Sequence, residues 1–131
     1  MQADYIVVGA GSAGCAVACR LVESGARVTL LEAGPKDTNP RIHIPAALRP
    51  LLNHPVLNWN YSAEPVESAG GRRIGLPRGR VLGGSSSINA MLYVRGNPAD
   101  YDGWAQMGCR GWSYDEILPY FKQSETYKQV G

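Results

Sequence analysis

Gly9, Gly11 and Gly14 stand in a G-x-G-x-x-G spacing within "VVGAGSAGCAV" (7–17), after a short β-branched run and before a run of small and aliphatic residues. Each glycine has its own task. Gly9 permits a tight turn, Gly11 lets a bulky anion approach the backbone, and Gly14 lets a helix lie close on a strand. The backbone of Gly11, Ser12, Ala13 and Gly14 then sits at the positive end of a helix, where phosphate oxygens are favoured. The next apolar run, "RVTLLE" (27–32), ends in Glu32 and is followed by Ala33. A carboxylate there can accept both hydroxyls of an adenosine ribose and repels a 2′-phosphate, which disfavours NADP. The spacing and its context point to a site for the ADP half of a dinucleotide. FAD and NAD share that half, so this loop does not separate them.

A second glycine-rich stretch, "RGRVLGGSSSINAM" (78–91), follows much later. Gly83 and Gly84 allow close backbone approach, and Ser85, Ser86 and Ser87 add hydroxyls. Asn89 brings an amide that both donates and accepts. Such a segment can line a pyrophosphate or a ribityl chain. Its flanks "RVL" and "INAMLYV" are apolar, which reads as an ordered element rather than a Gly/Ser linker. A nicotinamide dehydrogenase would account for "GAGSAG" and Glu32 but would leave "LGGSSSIN" without a task.

These loops need elements to hold them. Residues 5–8 ("YIVV") read as a buried parallel strand, 12–24 as a helix closing at Gly25, and 27–32 as a second strand. Strand, helix and strand make a βαβ unit over residues 1–34. Residues 34–58 hold five prolines and two histidines with little periodicity, so an irregular segment is expected, with a short helix around Ala46 to Leu52. "NWNYSAEP" (58–65) alternates like a short strand, and "SAGGRRIGLPRG" (68–79) looks like a hairpin or turn region. Asn97 is a good N-cap before Pro98, and Ser113 with Glu116 has capping-box spacing. Pro119 should limit or kink the second of these helices.

Composition narrows the class. The chain has 131 residues, 18% of them charged, and a formal net charge of +2, which fits a globular domain or part of one and is too small to argue for nucleic acid. Arg72, Arg73, Arg78 and Arg80 cluster, but without the interleaved aromatics that stack bases. The three cysteines, Cys15, Cys19 and Cys109, are too sparse for a disulfide framework and fit a reducing, cytoplasmic compartment. Cys15 and Cys19 share a helix face with no second ligand pair, so small core residues are expected there and no metal site. No signal peptide is evident, and no apolar stretch near the start reaches the roughly 20 residues of a membrane span.

With these residues in view, the chain resembles the N-terminal part of the glucose–methanol–choline oxidoreductases, nearest to the choline-dehydrogenase-like alcohol dehydrogenases. The resemblance runs through "DYIVVGAGSAGCAVACRL", "LLEAGP", "NWNYSAEP", "PRGRVLGGSSSINAMLYVRGNPADYDGWA" and "GWSYDEILPYF". It implies an α/β fold: a Rossmann-like FAD-binding βαβ start of a doubly wound sheet, without the substrate domain. Residues 35–77 would cover the cofactor, 78–96 would form the flavin-contacting loop, and 97–131 a helical segment. It also implies FAD, with Gly11, Ser12, Ala13 and Gly14 at the pyrophosphate, Glu32 at the ribose, and Gly9 and Ala33 among the cofactor-binding residues. Arg80, Val81, Gly84 and Ser85 would lie along the dinucleotide, and Asn89, Ala90, Met91 and Leu92 beside the isoalloxazine.

Some members of that family attach FAD through a histidine where this chain has Asn89, so non-covalent FAD is implied. The implied activity is oxidation of a small alcohol, with electrons passed to oxygen or another acceptor. The family's catalytic histidine has no counterpart here. His43 and His54 match no catalytic position and read as loop or lid residues. Trp59, Trp104, Trp112 and Phe121 are expected in a core completed by further chain, with Trp59 near the cofactor. A non-catalytic dinucleotide-binding module is the alternative from another class.

Overall fold

A computed structural model describes residues 2–125, and the chain divides into two compact units, Met1–Leu92 and Tyr93–Gly131. The last six positions of the expected 97–131 helical segment lie outside the described residues. The first unit opens with β1 (Tyr5–Val8), α1 (Ser12–Glu23) and β2 (Val28–Leu31). β1 and β2 pair in parallel, Tyr5 opposite Val28 and Val8 opposite Leu31. Parallel neighbours require a crossover, and α1 supplies it. The helix ends where Ser24 N–H returns to Arg20 C=O at 3.1 Å and Gly25 takes φ +90, a left-handed turn that glycine adopts freely.

The two strands are clipped at their start. Arg27 donates from Nη2 to Asp4 Oδ1 at 2.7 Å, from Nε to Oδ2 at 3.0 Å, and from its backbone amide to Oδ2 at 2.9 Å. The guanidinium beside Asp4 holds its carboxyl below the usual carboxylate range. A carboxyl lowered in the folded state stabilises above its unfolded pKa of about 3.9 and loses that contribution as pH falls through the folded value. Both groups are exposed, so the effect is small. Asp4→Asn should therefore melt slightly below wild type at neutral pH. The gap should narrow as the pH falls through the lowered folded value, and melting curves at neutral and strongly acid pH check it.

The irregular segment is built of short turns. Single 3-10 turns at Pro40–His43 and Pro45–Ala47 lead into α2 (Leu48–Leu52), close to the expected short helix. Asn39 caps the first turn by accepting the Arg41 amide at 3.0 Å. β3 (Tyr61–Ser62) then pairs antiparallel with β4 (Gly75–Leu76), Tyr61 opposite Leu76, and an Asn58–Gly79 bridge extends the pairing. The hairpin expected within 68–79 is therefore wider: 75–79 is its returning strand. Gly70 and Gly71, at φ +65 and +68, turn the tip after a 3-10 turn at Glu67–Ala69.

The core lies beneath the second glycine-rich stretch. Leu51, Leu57, Val81 and Ile88 are buried together with Ile42 packed on them. β1 departs from its expected burial, with Ile6 and Val8 exposed at 66% and 82%. A two-stranded sheet with one helix has too few layers to cover both faces. Cys15 and Cys19 are likewise exposed rather than core, because their face of α1 is uncovered among the described residues.

The second unit contains α3 (Pro98–Gln106) and α4 (Tyr114–Ser124). Asn97 accepts the Ala99 amide at 3.1 Å, and Glu116 accepts the Ser113 amide at 3.1 Å, as the capping signals predict. Pro119 does not end α4, which runs on to Ser124. The proline deletes one backbone donor, and its neighbours carry the helix past it. Tyr101 meets Trp104 edge-on at 5.1 Å and Phe121 at 5.8 Å, while Trp104 and Trp112 remain half exposed. Among the described residues no helix is long and apolar enough to cross a membrane.

Candidate functional site

The first loop turns at Gly9, whose φ of +97 suits glycine and whose amide donates to Leu31 C=O at 2.7 Å. Gly14 does what its spacing predicts: a Cβ there would run into the Gly9 carbonyl, so only glycine lets α1 approach β1 this closely. The first helical bond joins Cys15 N–H to Gly11 C=O at 2.9 Å. Ser12, Ala13 and Gly14 therefore form the mouth of α1, which has no side-chain cap and no acidic residue in its first turn. That leaves amide donors and a positive dipole end for an anion.

Glu32 has a second task that its position at a strand end does not reveal. Its carboxylate accepts the Ala10 amide at 2.8 Å and the Gly34 amide at 2.9 Å, tying the first loop to the exit of β2. Each carboxylate oxygen keeps a lone pair, so the group can still accept ribose hydroxyls.

The second loop docks onto the first. Gly83 N–H donates to Ala10 C=O at 2.8 Å, and Leu82 N–H to Pro35 C=O at 2.9 Å. Ser12 and Ser86 hydrogen-bond through their hydroxyls. A Cβ on Gly84 would come within 2.9 Å of Gly11 Cα, so the two glycines meet backbone to backbone. Gly79 N–H donates to Ser85 Oγ at 3.1 Å and fixes the stretch entering the loop.

Between the loops lies a cleft of about 630 Å³. Gly9, Gly11, Glu32, Ala33, Gly84 and Ser85 line it, joined by Gly79. The opposite wall is Trp59, Tyr61 and Arg78. The Trp59 and Tyr61 rings are parallel within 3° at 5.9 Å. Arg80 stands behind this wall, its guanidinium 5.0 Å from the Trp59 ring centroid, and its Nε is buried without a hydrogen-bond partner. Val81 is wholly buried, and its side chain belongs to the core.

Asn89, Ala90, Met91 and Leu92 are exposed and do not line this cleft. Asn89 Oδ1 accepts the Met91 amide at 2.8 Å, and Met91 adopts φ +58, uncommon for a residue with a side chain. His43 Nε2 pairs with the Asp37 carbonyl at 2.8 Å, and neither histidine reaches the cleft.

Sequence reasoning missed Tyr61, Arg78, Gly34 and Gly79. The alternation in "NWNYSAEP" carries the signal for Tyr61, since it puts Trp59 and Tyr61 on one face. Gly34 acts through a backbone contact with Arg80 and Val81, far along the chain, that no local pattern reveals, whereas Gly79 packs on Gly84 and Ser85 within its own stretch.

The family model described as "GMC oxidoreductase" matches residues 3–131. The oxygen-dependent choline dehydrogenase of Brucella suis biovar 1 is 51% identical over 127 residues, which are 96% of this chain and 23% of that protein. The pyridoxine 4-oxidase structure from Mesorbium loti has a TM-score of 0.85 at 43% identity, covering 92% of this chain and 24% of that one. A formate oxidase variant structure from Aspergillus oryzae RIB40 has a TM-score of 0.86 at 34% identity, over 97% of this chain and 23% of that one. The chain thus spans about a quarter of the length of the relatives it matches.

Proposed function

The chain belongs to the GMC oxidoreductase family, and we propose that it is the cofactor-binding N-terminal part of an FAD-dependent oxidoreductase acting on the CH–OH group of a small alcohol. The observation that carries this reading is the docking of two glycine-rich loops around one cleft. A single glycine loop serves any dinucleotide. The second loop gives the cleft the further hydroxyls and close backbone that a longer, polar cofactor needs, which favours FAD over a nicotinamide.

The residues fit such a group. The amides of Ser12, Ala13 and Gly14 would take the pyrophosphate, Glu32 and Ala33 the ribose, and Gly84 and Ser85 the opposite flank. Arg78, which lines the cleft, would supply a positive charge beside the phosphates. Asn89, Ala90, Met91 and Leu92 would border the flavin, and Asn89 offers no nucleophile for covalent attachment. Bound FAD would supply the hydride acceptor for alcohol oxidation.

The relatives' names include choline, pyridoxine and formate, while this portion keeps the same fold. Choice of alcohol is therefore assigned to chain beyond this portion, and oxygen is the favoured electron acceptor. Absorption spectra of the purified full-length protein test the reading. Flavin bands should be present and released into the supernatant on denaturation, and adding choline or another primary alcohol under air should yield hydrogen peroxide. A protein that stays colourless after reconstitution with FAD would overturn it.

A further inference from the structure

We infer that His54, through the acceptor at its Nδ1, is a positioning residue for the aromatic wall of the cleft. The inference rests on the reading of that cleft as an FAD site. His54 Nδ1 accepts two backbone amides, from Val56 and Leu57, each at 3.2 Å. A nitrogen that accepts two N–H groups carries no proton of its own, so the ring proton sits on Nε2. The His54 carbonyl accepts the Asn58 amide at 3.2 Å and Asn60 Nδ2 at 3.2 Å. One residue thus gathers four donors from the chain immediately before and after Trp59.

What this gathering borders is a turn with a left-handed residue. Asn60 stands at φ +53, and its amide is fixed by Asn58 Oδ1 at 3.0 Å. Asn58 is 3% exposed, and the same Oδ1 accepts the Arg78 amide at 2.8 Å. Trp59 N–H closes onto Arg78 C=O at 2.9 Å, and Arg80 N–H onto Leu57 C=O at 2.8 Å. The last two bonds tie the Trp59 turn to the stretch that carries Arg78 and Arg80. Leu57 is anchored in the core, so a slackened His54 turn would shift Trp59 and Tyr61 while the core stays packed.

The test uses the full-length protein and two variants. His54→Leu keeps bulk and removes the acceptor. His54→Asn restores an acceptor that reaches the amides two and three residues on, as in an Asx turn. FAD affinity is measured by titrating apoprotein at a temperature where every variant is folded, together with near-ultraviolet circular dichroism of the Trp59–Tyr61 pair. His54→Leu should weaken FAD about tenfold and flatten the aromatic signal, and His54→Asn should recover most of both. A purely structural histidine would lower the melting temperature and leave FAD affinity unchanged. If His54→Leu binds FAD as wild type does, or His54→Asn recovers nothing, the inference is overturned. If wild type itself takes up no FAD, the reading of the cleft fails instead.

Discussion

Gly34→Ala is expected to lower the thermal midpoint of the protein by more than about 10 °C, a larger loss than its size suggests. A Cβ at Gly34 would collide with the Arg80 carbonyl and the Val81 amide. Backbone atoms flanking a wholly buried valine have nowhere to retreat. Overpacking a close-packed interior costs about 1–3 kcal/mol and more where backbone must move. The same collision would part the Gly34 amide from Glu32, which holds the first loop through Ala10. Gly103→Ala is the control. Gly103 lies inside α3, and a methyl group there would meet nothing within 4 Å, so alanine should be neutral or stabilise by up to about 1 kcal/mol. Parallel melting curves decide the matter, and a Gly34→Ala protein as stable as Gly103→Ala would refute the backbone clash.

The contrast between these glycines marks what was legible in the sequence. The βαβ start could be read because each part is signalled within a few residues: a β-branched run, the glycine spacing, and Gly25 at the helix end. The caps at Asn97 and Ser113 were legible for the same reason. Gly34 gave no such signal. Its requirement comes from Arg80 and Val81, far along the chain, and "EAGP" reads like any turn. The full width of the hairpin was not legible for a related reason. Tyr61 pairs with Leu76 across a long tip, and register over that distance is set by the partner strand and the buried Asn58 rather than by turn residues. Glu32 could be placed at a strand end beside the first loop, but its bonds to the Ala10 and Gly34 amides depend on the folded turn.

Gly84→Ala should damage cofactor binding more than it damages the fold. Gly84 is buried at φ +58, a conformation that costs a residue with a side chain about 1–2 kcal/mol. Strain alone would act on stability. The added methyl also presses on Gly11 Cα, and relieving that contact means moving the two loops apart. Both loops line the cleft side by side, so parting them changes the distance between the mouth of α1 and Ser85. Amide donors aimed at a phosphate weaken once the N···O distance passes about 3.2 Å or the N–H turns away from the oxygen. FAD affinity is therefore expected to fall about a hundredfold, with a stability loss near 2 kcal/mol. Gly70→Ala separates the two causes. Gly70 has a similar φ of +65 but open space around it and no place in the cleft, so alanine there brings strain without separation. Titration of FAD into both apoproteins should leave Gly70→Ala near wild type and Gly84→Ala far weaker. Equal affinities would mean that the meeting of Gly11 with Gly84 is a packing detail, and that the second loop holds the cofactor, if at all, through its serine hydroxyls.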